Sequence, residues 1–303
     1  MIKLTETIFA SVALGFIYAL VALGFVIIYK ASEVINFAHG AIMLLGSYLV
    51  FQFTVVYGIQ FGLAVLISMA LMAVLGILIE RFIIGRMIGE PVFAIVMITL
   101  GLEVIIRTVV VGWYGKDFVA IGDPWGFETI SVGSMRFSQA SIAAIIAGIV
   151  LLGAFFVFFK FSRTGTSMKA ASVDQEAALA MGINVRRVFA ISWAIAGALA
   201  AVGGVFVATT AGARPGTLDE ANAFIALRAF PAAILGGLDS PGGAVVGGLV
   251  IGFVEVFAGA YLVGATWGFL GDGFANVLPY IVMVLVLLFR PYGLFGTREI
   301  ERV

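Results

Sequence analysis

Six polar side chains stand in or beside apolar stretches where a bilayer would make them expensive. Glu103 and Arg107 are four apart in one stretch, so a helix puts them on a single face. They can form an internal ion pair that fixes packing or lines a polar path. Arg107, nearer the end of the stretch, can instead snorkel to the interface. Glu255 lies in a second apolar run with no opposite charge nearby in sequence. It must meet another helix or water, for proton coupling or for a packing hydrogen bond. Arg228 precedes Pro231 in a short, interrupted run, where a guanidinium serves a substrate carboxylate or an interfacial anchor. Asn36 and His39 stand where an irregular segment enters an apolar run, so their side chains can satisfy broken backbone or contribute to a path. A single histidine without cysteine or clustered carboxylates makes no metal site, and no nucleophile constellation accompanies it.

The other feature with chemistry in it is a charged island, Gly165–Arg187, in a chain that otherwise reads as membrane. Ser172-Val173-Asp174-Gln175 fits a capping box, with Ser172 as N-cap and Gln175 as N3. Asp174 and Glu176 then lie in the first turn, where the helix dipole favours negative charge. Gly182 fits the glycine that closes a helix C-terminus. The expected helix has about nine residues and a length of about 13 Å. Ala177, Ala178 and Met181 fall within a turn of one another, a small apolar patch able to enter a groove on another protein. The same residues also suit a solvated surface helix joining two spans.

The elements that must position these groups are membrane helices. The chain of 303 residues is 62% hydrophobic and 11% charged, against about 25% charged in ordinary soluble domains. Its mean hydropathy is +1.17. Apolar runs at 7–29, 39–56, 61–79, 91–111, 139–159, 188–210, 243–261 and 274–289 have spanning length or close to it. A ninth, Phe224–Leu238, is short and interrupted, and reads as a broken helix, a re-entrant segment or a short crossing. Eight or nine spans are expected, in an all-α polytopic protein. The runs are too long and too unalternated for a β-barrel. The first run exceeds a signal-peptide core and is kept as a span. One transmembrane domain over 1–303 is expected, with an aqueous loop at 160–187.

Lys/Arg bias sets the orientation. Lys160, Arg163, Lys169, Arg186 and Arg187, the tail arginines 290, 298 and 302, and Arg81 with Arg86 are expected in the cytoplasm. The Gly112–Ser138 loop, with Lys116 and Arg136 against Asp117, Asp123 and Glu128, is expected outside, together with Gly212–Asn222. A ninth span would put the N-terminus outside as well. Trp113, Tyr114, Trp125 and Trp267 read as interfacial anchors. Glycines at helical spacing, such as Gly197/Gly203/Gly204 and Gly243/Gly247/Gly248/Gly252, read as close helix contacts. Zero net charge argues against a basic nucleic-acid surface, and no G-x-x-x-x-G-K-[ST] run is present for ATP hydrolysis. Energy must come from a partner, a coupled ion, or nothing.

Glu176-Ala177-Ala178-x-x-x-Gly182 resembles the coupling loop of binding-protein-dependent ABC importers, without the Leu-Pro ending of the longer pattern. Ile35-Asn36-Phe37-Ala38-His39-Gly40 with Gly46-Ser47-Tyr48 resembles branched-chain amino-acid permeases of the LivH type. Phe230-Pro231-Ala232-Ala233-Ile234-Leu235-Gly236-Gly237 with Gly242-Gly243-Ala244 and Gly247-Gly248 is similar to the same family. The resemblance extends from about residue 7 to 295. It implies an ABC importer permease fold in a bacterial or archaeal inner membrane, and a transport subunit rather than an enzyme. It implies four kinds of partner: a second homologous permease, two cytoplasmic ATPases that hold the ATP and magnesium, an extracytoplasmic binding protein, and membrane lipid. No cofactor is expected on this chain. Ser172, Asp174, Gln175, Glu176, Ala177, Ala178, Met181 and Gly182 would dock the ATPase, and Asn36, His39, Glu103, Arg107, Arg228 and Glu255 are candidates for the path. Urea or short amides are the alternative cargo. An ion-coupled carrier or channel is the rival of a different class, and it leaves the island without a task.

Overall fold

Helix α1, Ile2–Ser32, is apolar around its whole circumference, and the fold buries it. A helix without a polar face belongs inside other helices, and residues 17–28 of α1 form the axis of the core. The computed structural model describes residues 2–87, 90–211, 215–262 and 273–297. Around α1 stand α2 (His39–Phe51), α3 (Phe61–Phe82), α4 (Val92–Tyr114) and α5 (Gln139–Phe161). Two short helices follow, α6 (Arg163–Ala171) and α7 (Gln175–Ala180), then α8 (Val185–Phe206), α9 (Asn222–Gly236), α10 (Pro241–Phe257) and α11 (Phe274–Phe289). Helices α2, α8 and α10 each run on into a π-helical turn, at Gln52–Val56, Val207–Ala211 and Ala258–Leu262.

Seven helical stretches are long and apolar enough to cross a membrane, while α9 and α11 are shorter. The nine apolar segments of the sequence all appear, most within a few residues of their expected limits; α1 is longer at both ends. Trp267, Arg298, Arg302 and residues 212–214, named above as an anchor, as cytoplasmic and as part of an outer loop, lie outside the described residues.

Small residues set the packing. A Cβ on Gly248 would lie 2.5 Å from the Ala19 backbone nitrogen, and one on Gly252 would collide with Gly15. Thus α1 and α10 run antiparallel in backbone contact, as interhelical glycines allow. Gly76 meets the Trp193 carbonyl and Gly197 the Met72 carbonyl, which locks α3 to α8 in the same way. Gly243 and Gly247 abut Gly236 and Ala232 of α9. The glycine pattern in the sequence therefore marks helix contacts, as expected.

The loops separate into two groups. Strand β1 (Val119–Ala120) pairs with β4 (Thr217–Leu218), which ties the two loops expected outside to each other. A hairpin of β2 (Thr129–Val132) and β3 (Met135–Ser138) lies in the same loop. At the opposite end, Lys30 Nζ donates to the Asp239 carbonyl at 2.8 Å. The Asp239 carboxylate accepts from the Thr297 N–H and hydroxyl. Leu294 and Phe295 donate their N–H groups to Leu235 and Gly236, so the segment after α11 closes the C-terminus of α9. A cavity there is lined by Ser172, Val173, Lys30 and Tyr292, which brings the charged island to this end. The grouping inferred from Lys and Arg thus matches the two ends of the bundle.

The interrupted ninth run is one continuous helix. Pro231 lies inside α9 and lacks the N–H that the Leu227 carbonyl four residues earlier would accept. Tyr280 of α11 donates its hydroxyl to that carbonyl at 3.0 Å. A freed carbonyl inside a membrane needs such a partner. Of the expected aromatic anchors, Trp113 is exposed, whereas Tyr114 packs on Tyr48 and Phe51 and Trp125 stacks on Phe206.

Candidate coupling segment and transmembrane polar row

Three caps in succession shape the charged island. Ser162 caps α6 by accepting from Gly165 N at 2.8 Å. Asp174 caps α7 by accepting from Ala177 N at 2.8 Å. Asn184 caps α8 by accepting from Arg187 N at 3.0 Å. This corrects the expected capping box. Ser172 ends α6, where its hydroxyl donates to the Lys169 carbonyl at 2.9 Å, and the N-cap of α7 is Asp174 two residues later. Gln175 is accordingly the first residue of α7, which has six residues rather than nine. The sequence reading missed α6 because its polar composition gives no apolar period.

Gly182 closes α7 as expected. Its φ of +81° is in the left-handed region that favours glycine. Its N–H donates to Leu179 at 2.9 Å and the Ile183 N–H to Ala178 at 2.9 Å, the paired bonds of a Schellman ending. The apolar patch differs from expectation. Ala178 points inward and is buried, while Val173 (86% exposed), Leu179 (58%) and Met181 (83%) project outward beside Ala177. Glu176 is exposed at the start of the helix, and Arg186 and Arg187 follow the end. Val173 and Leu179 were missed; their signal was apolar side chains in a charged loop, where no span needs them.

The membrane-interior residues are joined more closely than their sequence positions suggest. Arg107 Nε donates to Glu103 Oε1 at 2.8 Å, the internal pair expected from their spacing. The Arg107 guanidinium lies over the Phe224 ring of α9 at 5.2 Å, within cation–π range. One turn along α9, Arg228 Nη1 stands 3.7 Å from Glu255 Oε1 of α10. Tyr18 of α1 donates its hydroxyl to Glu255 Oε2 at 2.7 Å. Glu255 therefore has two partners, although its own run holds none. Tyr18 went unnoticed; a hydroxyl midway along an apolar span was the available signal. The row runs Glu103, Arg107, Phe224, Arg228, Glu255, Tyr18. Its outer members are part-exposed, and Tyr18 is fully buried.

Asn36, in the break between α1 and α2, and His39, the first residue of α2, stand apart from this row and are fully buried. Asn36 Oδ1 accepts from Ala38 N at 3.1 Å and the Asn36 carbonyl from His39 N at 3.2 Å, so Asn36 does serve the broken backbone. His39 does not. Its ring lies beside the Val21 backbone and packs on Phe25, and neither ring nitrogen makes a hydrogen bond of normal geometry. Phe25 in turn meets Phe230, and Phe230 meets Phe37, an aromatic layer around the histidine. No group of three or more metal-ligating side chains occurs among the described residues.

Residues 7–288 match the family described as branched-chain amino acid transport system/permease component. The high-affinity branched-chain amino acid transport system permease protein LivH of Escherichia coli is 30% identical, over 98% of this chain and 97% of its own length. The corresponding protein BraD of Pseudomonas aeruginosa is 28% identical over 97% and 96%. A probable LivH of Methanocaldococcus jannaschii is 28% identical over 88% and 85%. A match that extends from α1 through α11, at the length of these relatives, settles the assignment: this chain belongs to the family of branched-chain amino acid transport permease components.

Proposed function

We propose that the chain is a transmembrane subunit of an ABC importer for branched-chain amino acids, paired with a second permease and driven by two cytoplasmic ATPases. An extracytoplasmic binding protein would deliver the cargo. The named relatives support the cargo class. The observation that carries the coupling role is α7 with its flanks: a helix capped at both ends, held on α6 and α8, with Leu179 on it and Val173 and Met181 beside it exposed to water. Exposed apolar side chains on a short rigid helix suit a groove on a partner. Because α7 leads through Gly182 and Asn184 into the membrane helix α8, a push on α7 is transmitted as rigid-body motion of α8 and its partner α3. Helix α8 shares backbone contacts with α2 and α3, so the motion reaches the centre of the bundle.

The test is leucine uptake into proteoliposomes that hold the complete importer. Glu176→Arg and Gly182→Val are each expected to lower uptake by about 10-fold or more: the first puts positive charge in the first turn of α7, against the helix dipole, and the second puts a β-branched side chain in the left-handed region, at a cost of roughly 1–2 kcal/mol. Normal uptake by the double variant, at normal levels in the membrane, would remove the coupling role.

A further inference from the structure

We propose that the two ion pairs of the membrane row, Glu103–Arg107 and Arg228–Glu255, are successive stations for the two charged ends of a zwitterionic cargo; this rests on the permease reading above. Depth is the first argument. Lys3 donates to the Ala260 carbonyl near one end of α1, and Lys30 to the Asp239 carbonyl near the other. Tyr18, bonded to Glu255, lies between them, about 22 Å from Lys3 and about 18 Å from Lys30 at 1.5 Å per residue. Glu103 is at the middle of α4, Val92–Tyr114. Both pairs are therefore deep in the span, where charge is kept only beside an opposite charge, water or a polar cargo.

Exposure is the second argument. The side chains of Glu103 and Arg107 are 18% and 26% exposed, and Arg228 is 32% exposed. Charges at this depth that also open to the surface of the subunit do not face acyl chains; they mark the side of α4, α9 and α10 that meets polar content. The groove between α3, α5 and α8, by contrast, is lined by Phe61, Val65, Met69, Ile146 and Val150.

Glu255 and Arg228 are, moreover, held unequally. Tyr18 fixes one Glu255 oxygen at 2.7 Å. Arg228 approaches the other only to 3.7 Å, too far for a hydrogen bond, and Arg228 makes no other ion pair among the described residues. The carboxylate is anchored by a hydrogen bond, and the guanidinium is not hydrogen-bonded to it. A cargo carboxylate can draw Arg228 into a two-pronged contact, while the cargo ammonium takes the Glu255 oxygen it vacates. The exchange replaces one ion pair by two and leaves no charge bare. Tyr18 acts as a positioning residue. Phe224, one turn from Arg228 and under Arg107, offers an apolar surface to the cargo side chain between the stations. Urea or a neutral amide has no charges to exchange with such pairs, so the row favours α-amino acids over uncharged cargo.

The experiment measures leucine uptake and ATP hydrolysis together, in proteoliposomes that contain the complete importer and loaded binding protein. Arg228→Met combined with Glu255→Met removes both charges and leaves neither unpaired. This variant is expected to assemble, to keep binding-protein-stimulated ATP hydrolysis, and to lose uptake by about 10- to 100-fold, the scale of one or two charged hydrogen bonds. The exchanged pair, Arg228→Glu with Glu255→Arg, still presents both signs and is expected to recover most of that loss. Uptake at the original rate by the double methionine variant, with hydrolysis intact, would overturn this inference alone. Absence of stimulated hydrolysis in the unsubstituted importer would overturn the permease reading, and the inference with it.

Discussion

At Asp174 one carboxylate oxygen takes the Ala177 N–H and so decides where α7 begins. The neighbouring Ser172 has the same chemistry but is already committed to α6, a distinction that lies in the preceding turn rather than in the motif itself. Asp174→Ala should cost about 1 kcal/mol of local helix stability and raise amide exchange over residues 175–181 only. Asp174→Ser should keep the cap and the protection. Exchange unchanged in the alanine variant would mean that tertiary contacts of Ala178, rather than the cap, hold the helix. Residue chemistry was readable here where it is local: Gly182 and the Glu103–Arg107 pair followed from spacing alone. Glu255 was not, because its partners lie on α1 and α9, and the Tyr18 contact spans 237 positions of sequence.

Among the elements, α9 shows how a membrane helix accommodates a proline. Pro231 bares the Leu227 carbonyl, and Tyr280 covers it. Tyr280→Phe should destabilise the subunit by about 1–3 kcal/mol, the cost of a polar group left without a partner. Pro231→Ala gives Leu227 a helical N–H partner, so Tyr280→Phe in that background should cost far less. A double-mutant cycle on thermal unfolding in detergent reads this coupling, and additive effects would show that the hydroxyl serves some other group. The limits of the long helices were legible because apolar length and glycine spacing act within one element. The nature of α9 was not, since a short run with Arg228 and Pro231 is a helix only when α10 and α11 supply the contacts.

Across the molecule, Lys30, Lys160, Arg163, Lys169, Arg186 and Arg187 gather at the end that carries α6 and α7, and the β1–β4 pairing holds the opposite loops together. The composition made a helical membrane protein evident, and the motifs at 35–48, 176–182 and 230–248 pointed to the family. What sequence could not convey is the order of contact around α1, which decides that Glu103, Arg107, Arg228 and Glu255 form one row while Asn36 is buried apart from it and His39 is packed among aromatic rings. An account in which α7 receives the ATPases and the polar row receives the cargo places the two functions at different depths of one bundle, joined by α8, α2 and α9.

The most direct measurement uses the absence of cysteine from the chain. Met181→Cys introduces a single thiol at an exposed position on the candidate coupling segment, and a membrane-impermeant maleimide reports its accessibility in inside-out vesicles. The account predicts rapid labelling of the permease expressed without its ATPases and protection by about 10-fold or more once they are co-expressed, as expected for a side chain buried in a protein interface. Equal labelling in the two preparations, with the ATPases present in the purified complex, would contradict the claim that this helix is where they dock.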